Sequence, residues 1–280
     1  AYFGDITQRG RLVSLDDFEN REAIFPSVHR SYKFCLLTLG AAERAQFVCF
    51  ATQVAQLRDP RRHFALSPDE FRLINPNTLT CPVFRSERDA ELTKKLYRAA
   101  PVLIREAVWK SEGGKKSLLT PEINHWDIEF MTMFHMSNDS HLFADARGEA
   151  RLPLYEAKLI HQFDHRWATY IDADKTRDVL TSEKADTDFV VTPRYWVDVS
   201  EIGERLAGKG WGNGWLTGWR RNARSTDDRT TIATVMPRVG AGDSLFLYLT
   251  GSAFGAAESA ALLGALNSMP LDFVARQKVG

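Results

Sequence analysis

Cysteine is scarce in this chain. Cys35, Cys49 and Cys81 lie in or beside apolar segments and show no paired metal-ligand spacing. They read as buried free thiols in a reducing compartment. No apolar run reaches membrane-spanning length, and the first residues lack the charged-then-apolar order of a secretory signal. The expected location is the cytoplasm, with no membrane partner. An excess of one charge sign is missing too: 36 Lys and Arg balance 36 Asp and Glu, for a formal net charge of +0. That excludes a simple polybasic nucleic-acid binder, but not one whose positive charge is confined to one cleft. Neither a nucleophile elbow nor a paired-carboxylate nuclease signature stands out, which argues against a stand-alone hydrolase.

What is present is ordinary globular composition over 280 residues, 44% hydrophobic and 26% charged. That length holds one large or two modest domains. A start at Ala1 without Met and a stop at Gly280 suggest a segment of something longer, although processing would leave the same ends.

Residues 1–31 are polar and irregular, with a charged patch at 16–21. Two near-continuous apolar runs follow, 32–39 and 45–51, and read as strands buried on both faces. Two strands cannot cover such faces alone, so a following domain covers them or they belong to a larger sheet. Residues 59–63 form a basic link, and Ser67, Pro68 and Glu70 then make a capping box that opens a helical turn. Asn75, Pro76, Asn77 and Thr78 read as a turn. Residues 89–98 form an amphipathic helix with Leu92 and Leu96 inside and Tyr97 at the margin. A flexible loop is expected at 111–116, and a strand with a neighbouring turn at 123–136. His125, His135 and His141 are spaced by ten and six, which matches no metal-ligand pattern.

The most informative run is 153–170. At period two, Tyr155, Ala157, Leu159, Phe163 and Trp167 share one side, with Glu156, Lys158, Gln162, Asp164 and Arg166 on the other. Helical spacing fits part of it as well, but the β-branched and aromatic tail favours a turn leading into a strand. Lys158, His161, Gln162, His165 and Arg166 are donors suited to phosphate oxygens and base edges. The plain alternative is a half-buried strand with a solvated polar face.

Residues 172–188 read as a charged surface loop, and 189–197 as a strand whose Pro193 suggests an edge or a strand end. Arg194, Tyr195 and Trp196 there combine a phosphate ligand with two flat rings; equally, the rings pack on a core. A short helix at 201–207 closes at Gly208. The glycine-rich run 208–214 is interrupted by Trp211 and fed by no strand, so it is not a phosphate cradle. Arg220, Arg221, Arg224 and Arg229 then crowd into ten residues with Asp227 and Asp228 among them. The even alternative is a solvated hairpin loop with internal ion pairs. Strands at 230–236 and 245–249 and helices at 256–266 and 271–280 complete the chain.

Several of these stretches carry a resemblance. Pro153, Leu154, Ile160 and Phe163 stand at the positions of the Pro-Leu-x-x-Gly-x-x-Ile-x-x-Phe/Tyr signature. That signature marks target-recognition domains of TaqI-like adenine-N6 DNA methyltransferases and fused Type IIG restriction-modification enzymes. Ala157 replaces the signature glycine, where a left-handed turn would be unfavourable. The stretch from Arg220 to Thr230 resembles another block of that domain, Arg-x-x-x-Arg-Ser-Thr-Asp-x-Arg-Thr. Asn267 and Ser268 with the following helix resemble its closing segment, which also resembles endings of Type I specificity subunits. Phe18 to Arg21, Phe25, Pro26 and residues 32–39 resemble the last strands of the catalytic domain. Asn75 and Pro76 do not continue into the family's catalytic Asn/Asp-Pro-Pro-Tyr/Phe tetrapeptide.

The resemblance implies an α+β chain. Residues 1–58 would be the tail of a doubly wound methyltransferase sheet, and 59–280 a mixed-strand recognition domain with flanking helices. It implies double-stranded DNA as a partner, together with the rest of the methyltransferase polypeptide or a methylase subunit. S-adenosylmethionine would serve the parent enzyme, which flips its target adenine. This chain, lacking the cofactor and catalytic motifs, is expected to be inactive alone. The competing expectation is a specificity or interaction subunit that docks onto separate methylase or nuclease chains.

Overall fold

The computed structural model describes residues 2–224 and 226–279, with Ser111 and Glu112 described by their backbone alone. The chain divides into two compact units, the first running to Asn124 and the second spanning His125–Val279. Helices mix with sheets of mixed strand orientation, and the described residues hold seven α-helices.

In the first unit, α1 (Tyr2–Gln8) leads to β1 (Leu12–Glu19), β2 (Lys33–Leu39), β3 (Ala45–Ala51) and β4 (His63–Leu66). The sheet order is β2-β1-β3-β4. Strand β1 is antiparallel to β2 and parallel to β3. The segment expected to be irregular therefore supplies a central strand. Leu12 and Phe18 bury its ends. Asp16 and Asp17 interrupt the apolar pattern between them, and burial pushes both carboxyls above their ordinary value. The two apolar runs flank β1 and do not pair with each other.

Their environments differ as well. Strand β3 is largely buried, whereas Leu36, Leu37 and Leu39 of β2 are exposed, Leu36 by 53%. The cause is position: β2 is an edge strand hydrogen-bonded to β1 alone. Cys35 on it is exposed, which corrects the expectation of three buried thiols; Cys49 is buried and Cys81 partly so. Burial raises the Cys49 thiol to about 12. The boundary expected between 58 and 59 falls inside this unit, because β4 beyond it pairs with β3. Phe47 stacks on its cross-strand partner Phe64 with centroids 5.1 Å apart, so the sheet cannot be divided there.

Helix α2 (Pro68–Ile74) starts at the expected box. Ser67 Oγ accepts from the Glu70 amide at 3.3 Å, and Glu70 Oε2 accepts from the Ser67 amide at 2.8 Å. Asn75 closes the helix and opens the expected turn, its amide donating to Phe71 O. Helix α3 (Glu87–Ala99) buries Ala90, Thr93, Lys94 and Tyr97 and exposes Leu92, so its inner face is rotated from the expected Leu92–Leu96 stripe. Lys94 is 2% exposed, and its ammonium donates to Glu70 at 2.7 Å and pairs with Glu91. Burial pushes the Glu70 carboxyl up. The Lys94 hydrogen bond, the Ser67 amide and the Arg44 charge outweigh it and hold the carboxyl below its ordinary value. β5 (Val108–Glu112) and β6 (Lys115–Thr120) form a hairpin where a loop was expected. Gly113 and Gly114 turn it with φ of 56° and 78°, the two positive angles a two-residue hairpin turn requires.

The second unit contains β7 (Glu129–Met131), β8 (Phe143–Ala144), β9 (Arg151–Tyr155), β10 (Ala168–Tyr170), β11 (Thr176–Asp178) and α4 (Thr181–Ala185). It continues with β12 (Trp196–Asp198), α5 (Val199–Ala207), β13 (Trp215–Arg220), β14 (Ala233–Pro237), β15 (Gly240–Ala241) and β16 (Leu245–Leu249). Helices α6 (Ala256–Leu266) and α7 (Met269–Arg276) close it. Its sheets run β15-β9-β12-β8, β14-β13-β16-β7 and β10-β11. The core joins Phe134, Leu154, Leu159, Ile160, Val197, Leu216 and Leu247. Gly240 is demanded by packing, since a Cβ there would lie 2.7 Å from Val197 Cγ1. Strand β12 lies between β9 and β8 and so is no edge; it starts only at Trp196, and Pro193 lies before that start and not within the strand. The stretch expected to be loop, 172–188, contains β11 and α4.

Replacing Glu70 by Ala removes half the capping box and, among the described residues, leaves buried Lys94 paired with Glu91. Urea unfolding is expected to show a loss of about 2–4 kcal/mol. An unchanged midpoint would contradict this account of α2 and α3.

Candidate nucleic-acid interface

The site is built around the end of β9. After Tyr155 the chain makes one 3-10 turn, Ala157–Leu159, whose Ala157 amide is held by Ser244 Oγ at 3.1 Å. Leu159 and Ile160 are both fully buried, which anchors the loop and breaks the period-two alternation. The Trp167 amide donates to Leu159 O at 3.1 Å, closing residues 160–166 into a compact loop before β10. The expected turn into a strand is present.

Within that loop His161 and Asp164 exchange two backbone hydrogen bonds, of 2.7 and 3.1 Å. Phe163 occupies the third turn position with φ of 62° and is 60% exposed. A type II turn reserves that place for glycine. The left-handed residue of this run is therefore Phe163 and not Ala157, and the Phe163 ring faces solvent where the alternation placed it inward. Asp164 accepts from the Arg166 amide at 2.8 Å and pairs with Lys184 at 2.6 Å.

Two distant segments meet this loop. The Phe163 amide donates to Ala233 O at 3.1 Å. Gln162 Nε2 donates to Thr231 O at 2.9 Å and to the carbonyl of Asn267, 105 residues away, at 3.4 Å. Asn267 in turn grips Ala233 in both directions, at 3.0 and 2.9 Å. Asp272 Oδ1 accepts from the amides of Thr230 and Thr231 at 2.6 and 2.9 Å. The central run, the arginine block and the closing segment thus converge.

The named donors divide into two groups. Arg220 donates from Nε and Nη2 to Ile160 O at 3.2 and 2.6 Å, and Arg166 donates to the carbonyls of Asp186 and Lys184 at 3.0 and 2.7 Å. With Gln162, these side chains face inward and hold the scaffold. Tyr195 stacks on Phe143 at 5.8 Å against the core, and Arg194 lies over the Tyr195 ring and pairs with Asp174 at 3.2 Å. Lys158 sits over the Tyr170 ring at 4.7 Å, with Glu156 at 3.9 Å. Arg221 and Arg224 are exposed on the loop between β13 and β14. The Arg221 guanidinium lies 5.8 Å from the Phe246 centroid, and the Arg224 amide is held by Asp227 at 2.9 Å. Arg229 is half-buried and donates to the Met269 sulfur. Lys184, Asn267 and Asp272 had no individual signal in the sequence; only the family's asparagine-serine segment marked Asn267.

His161 lies against Trp167 with centroids 4.4 Å apart. Burial lowers its pKa below 6.5, and the charges of Arg220, Arg229 and Lys184 lower it further against Asp164. Burial and Arg166 lower His165 in the same direction. In both, the surroundings favour the neutral imidazole, which can donate from one ring nitrogen and accept at the other.

Among the described residues, no group of three or more His, Cys, Asp or Glu is placed to hold a metal ion. Nor is any helix long and apolar enough to cross a membrane. The glycine-rich run trails the C-terminus of α5, and its first amides are spent on that helix's last carbonyls: Gly208 donates to Glu204 O, Lys209 and Trp211 to Leu206 O, and Gly210 to Ala207 O. No protein-family model matches the chain, and no curated protein matches it.

Two measurements test this geometry. Imidazole resonances of His161 and His165 are expected to titrate below 6.5. Their contribution to stability is then present above about 6.5 and lost as pH falls from there toward the folded values. Titration at or above 6.5 would contradict the assigned environment. Separately, Asn267→Ala strips two hydrogen bonds from buried Ala233 and is expected to lower unfolding free energy by about 2 kcal/mol. A neutral substitution would remove the staple from the account.

Proposed function

We propose that this chain recognises the DNA target of a restriction-modification adenine-N6 methyltransferase. The observation that carries the proposal is the convergence of three sequence-distant segments, each resembling a block of such recognition domains. Arg166, Arg220 and Gln162 hold the loops in place. Arg221 and Arg224 reach phosphates; Arg229, on the same loop, and Lys158, over the Tyr170 ring, are further phosphate donors. His161 and His165 offer neutral donors and acceptors to base edges. The remainder of the enzyme, in the cytoplasm, binds S-adenosylmethionine and transfers the methyl group to a flipped adenine. No step of that transfer is assigned to residues of this chain. In this reading the sheet β2-β1-β3-β4, which β4 carries past residue 58, belongs to the edge of a doubly wound sheet.

A second reading is favoured by β2. Its unpaired edge and exposed Leu36, Leu37 and Leu39 offer a strand to another polypeptide. The chain would then be a specificity subunit that docks onto a separate methylase. Sizing it with and without a methylase chain separates a docking subunit from a fused domain.

For DNA readout, gel-shift titrations of the chain on duplex should weaken steeply as salt rises. Arg224→Ala is expected to weaken binding on all sequences alike and to reduce the log–log salt slope by roughly one. A folded chain that binds no duplex at low salt would overturn the proposal.

A further inference from the structure

Phe163 breaks both rules that place aromatic residues. Its ring is in solvent, and its backbone holds a left-handed angle that a side chain disfavours. The surroundings nonetheless fix it there. Its amide is tied to Ala233 O, the preceding Gln162 to two carbonyls, and the turn closes on itself between His161 and Asp164. Asp164 is braced by Lys184, and Ile160 by Arg220. The turn is hydrogen-bonded on either side of Phe163, and the ring stands exposed at its tip.

Cations and one carboxylate lie about this mount. Arg220, Arg229 and Lys184 act on His161, two residues away, with Asp164 opposing them and pairing with Lys184. Exposed Arg221 and Arg224 stand on the loop whose far end, at Thr231 and Ala233, carries the turn. A flat apolar ring carried on a hydrogen-bonded turn, with exposed Arg221 and Arg224 on the adjoining loop, has the chemistry of a wedge. Such a ring slides between neighbouring bases while the cations hold flanking phosphates. Base-to-aromatic stacking is tolerant of sequence, which suits a ring with no polar handle.

We infer that Phe163 enters a base step of bound duplex and unstacks it. This rests on the DNA-recognition reading and adds to it a residue that deforms the target. Glycine accepts a positive φ without strain, so Phe163→Gly removes the ring without burdening the turn. Phe163→Trp keeps a stacking surface.

The test uses the full chain and low-salt duplexes carrying 2-aminopurine at successive positions, whose fluorescence rises when stacking is lost. The wild-type chain should raise the signal several-fold at one or two adjacent positions, and Phe163→Trp should retain the rise. Phe163→Gly should lose it, with an unchanged salt slope in gel shift and a Tm no lower than wild type. Equal signals from wild type and Phe163→Gly, or binding by wild type with no rise, would overturn the wedge and leave the recognition reading standing. No duplex binding by the wild-type chain overturns both. Loss of methylase-chain association by Phe163→Gly, with the fluorescence rise intact, would make Phe163 a protein contact and overturn the wedge.

Discussion

Two donors of Arg220 converge on one carbonyl, that of Ile160, and the position of the loop around Phe163 follows from this contact. Ile160 is fully buried, so its carbonyl sits where water is scarce and a protein donor must answer it. Arg220 stands at the end of β13, inside the sheet β14-β13-β16-β7. Burial lowers the guanidinium pKa, with Asp227 opposing, but an arginine stays charged at any physiological pH. The contact therefore transmits the rigidity of a hydrogen-bonded sheet to a loop with no regular structure. Gln162, Asn267 and Asp272 repeat the device with neutral and acidic groups.

A chain of zero net charge can still present a positive surface if its acids are occupied elsewhere. Several carboxylates here accept from backbone amides as well as from cations. Asp272 holds Thr230 and Thr231, Asp227 holds Arg224, and Asp164 holds Arg166. These acids shape the loops that carry the arginines. Other cations are matched by acids outside the loop, as Arg177 is by Glu183 and Arg205 by Glu201 and Asp139. Exposed pairs of that sort add little to stability, but they cancel charge locally.

Much of this was legible from residues alone. The capping box at Ser67, the helix closing at Gly208, the buried strand at Leu245–Leu249 and the turn before β10 follow local rules, and local rules decided them. Strand β1 was hidden because Asp16 and Asp17 sit within a strand whose pairing on both sides overrides their polarity. The two apolar runs looked alike, yet one lies inside the sheet and the other at its edge; that difference belongs to chain path, not composition. Arg220 and Arg224 were indistinguishable, since a guanidinium suits a buried carbonyl as well as a phosphate. A positive φ on Phe163 has no residue signature at all, because the constraint comes from Ala233, Thr231 and Asn267 far along the chain.

The convergence of these loops makes one statement about DNA that mapping can check. Photo-crosslinking with duplexes carrying a photoreactive base, followed by peptide mapping, is the most direct measurement. The account predicts crosslinks concentrated in residues 158–167 and 221–229. Crosslinks confined to other segments of the chain, with these two stretches unmodified, would contradict it.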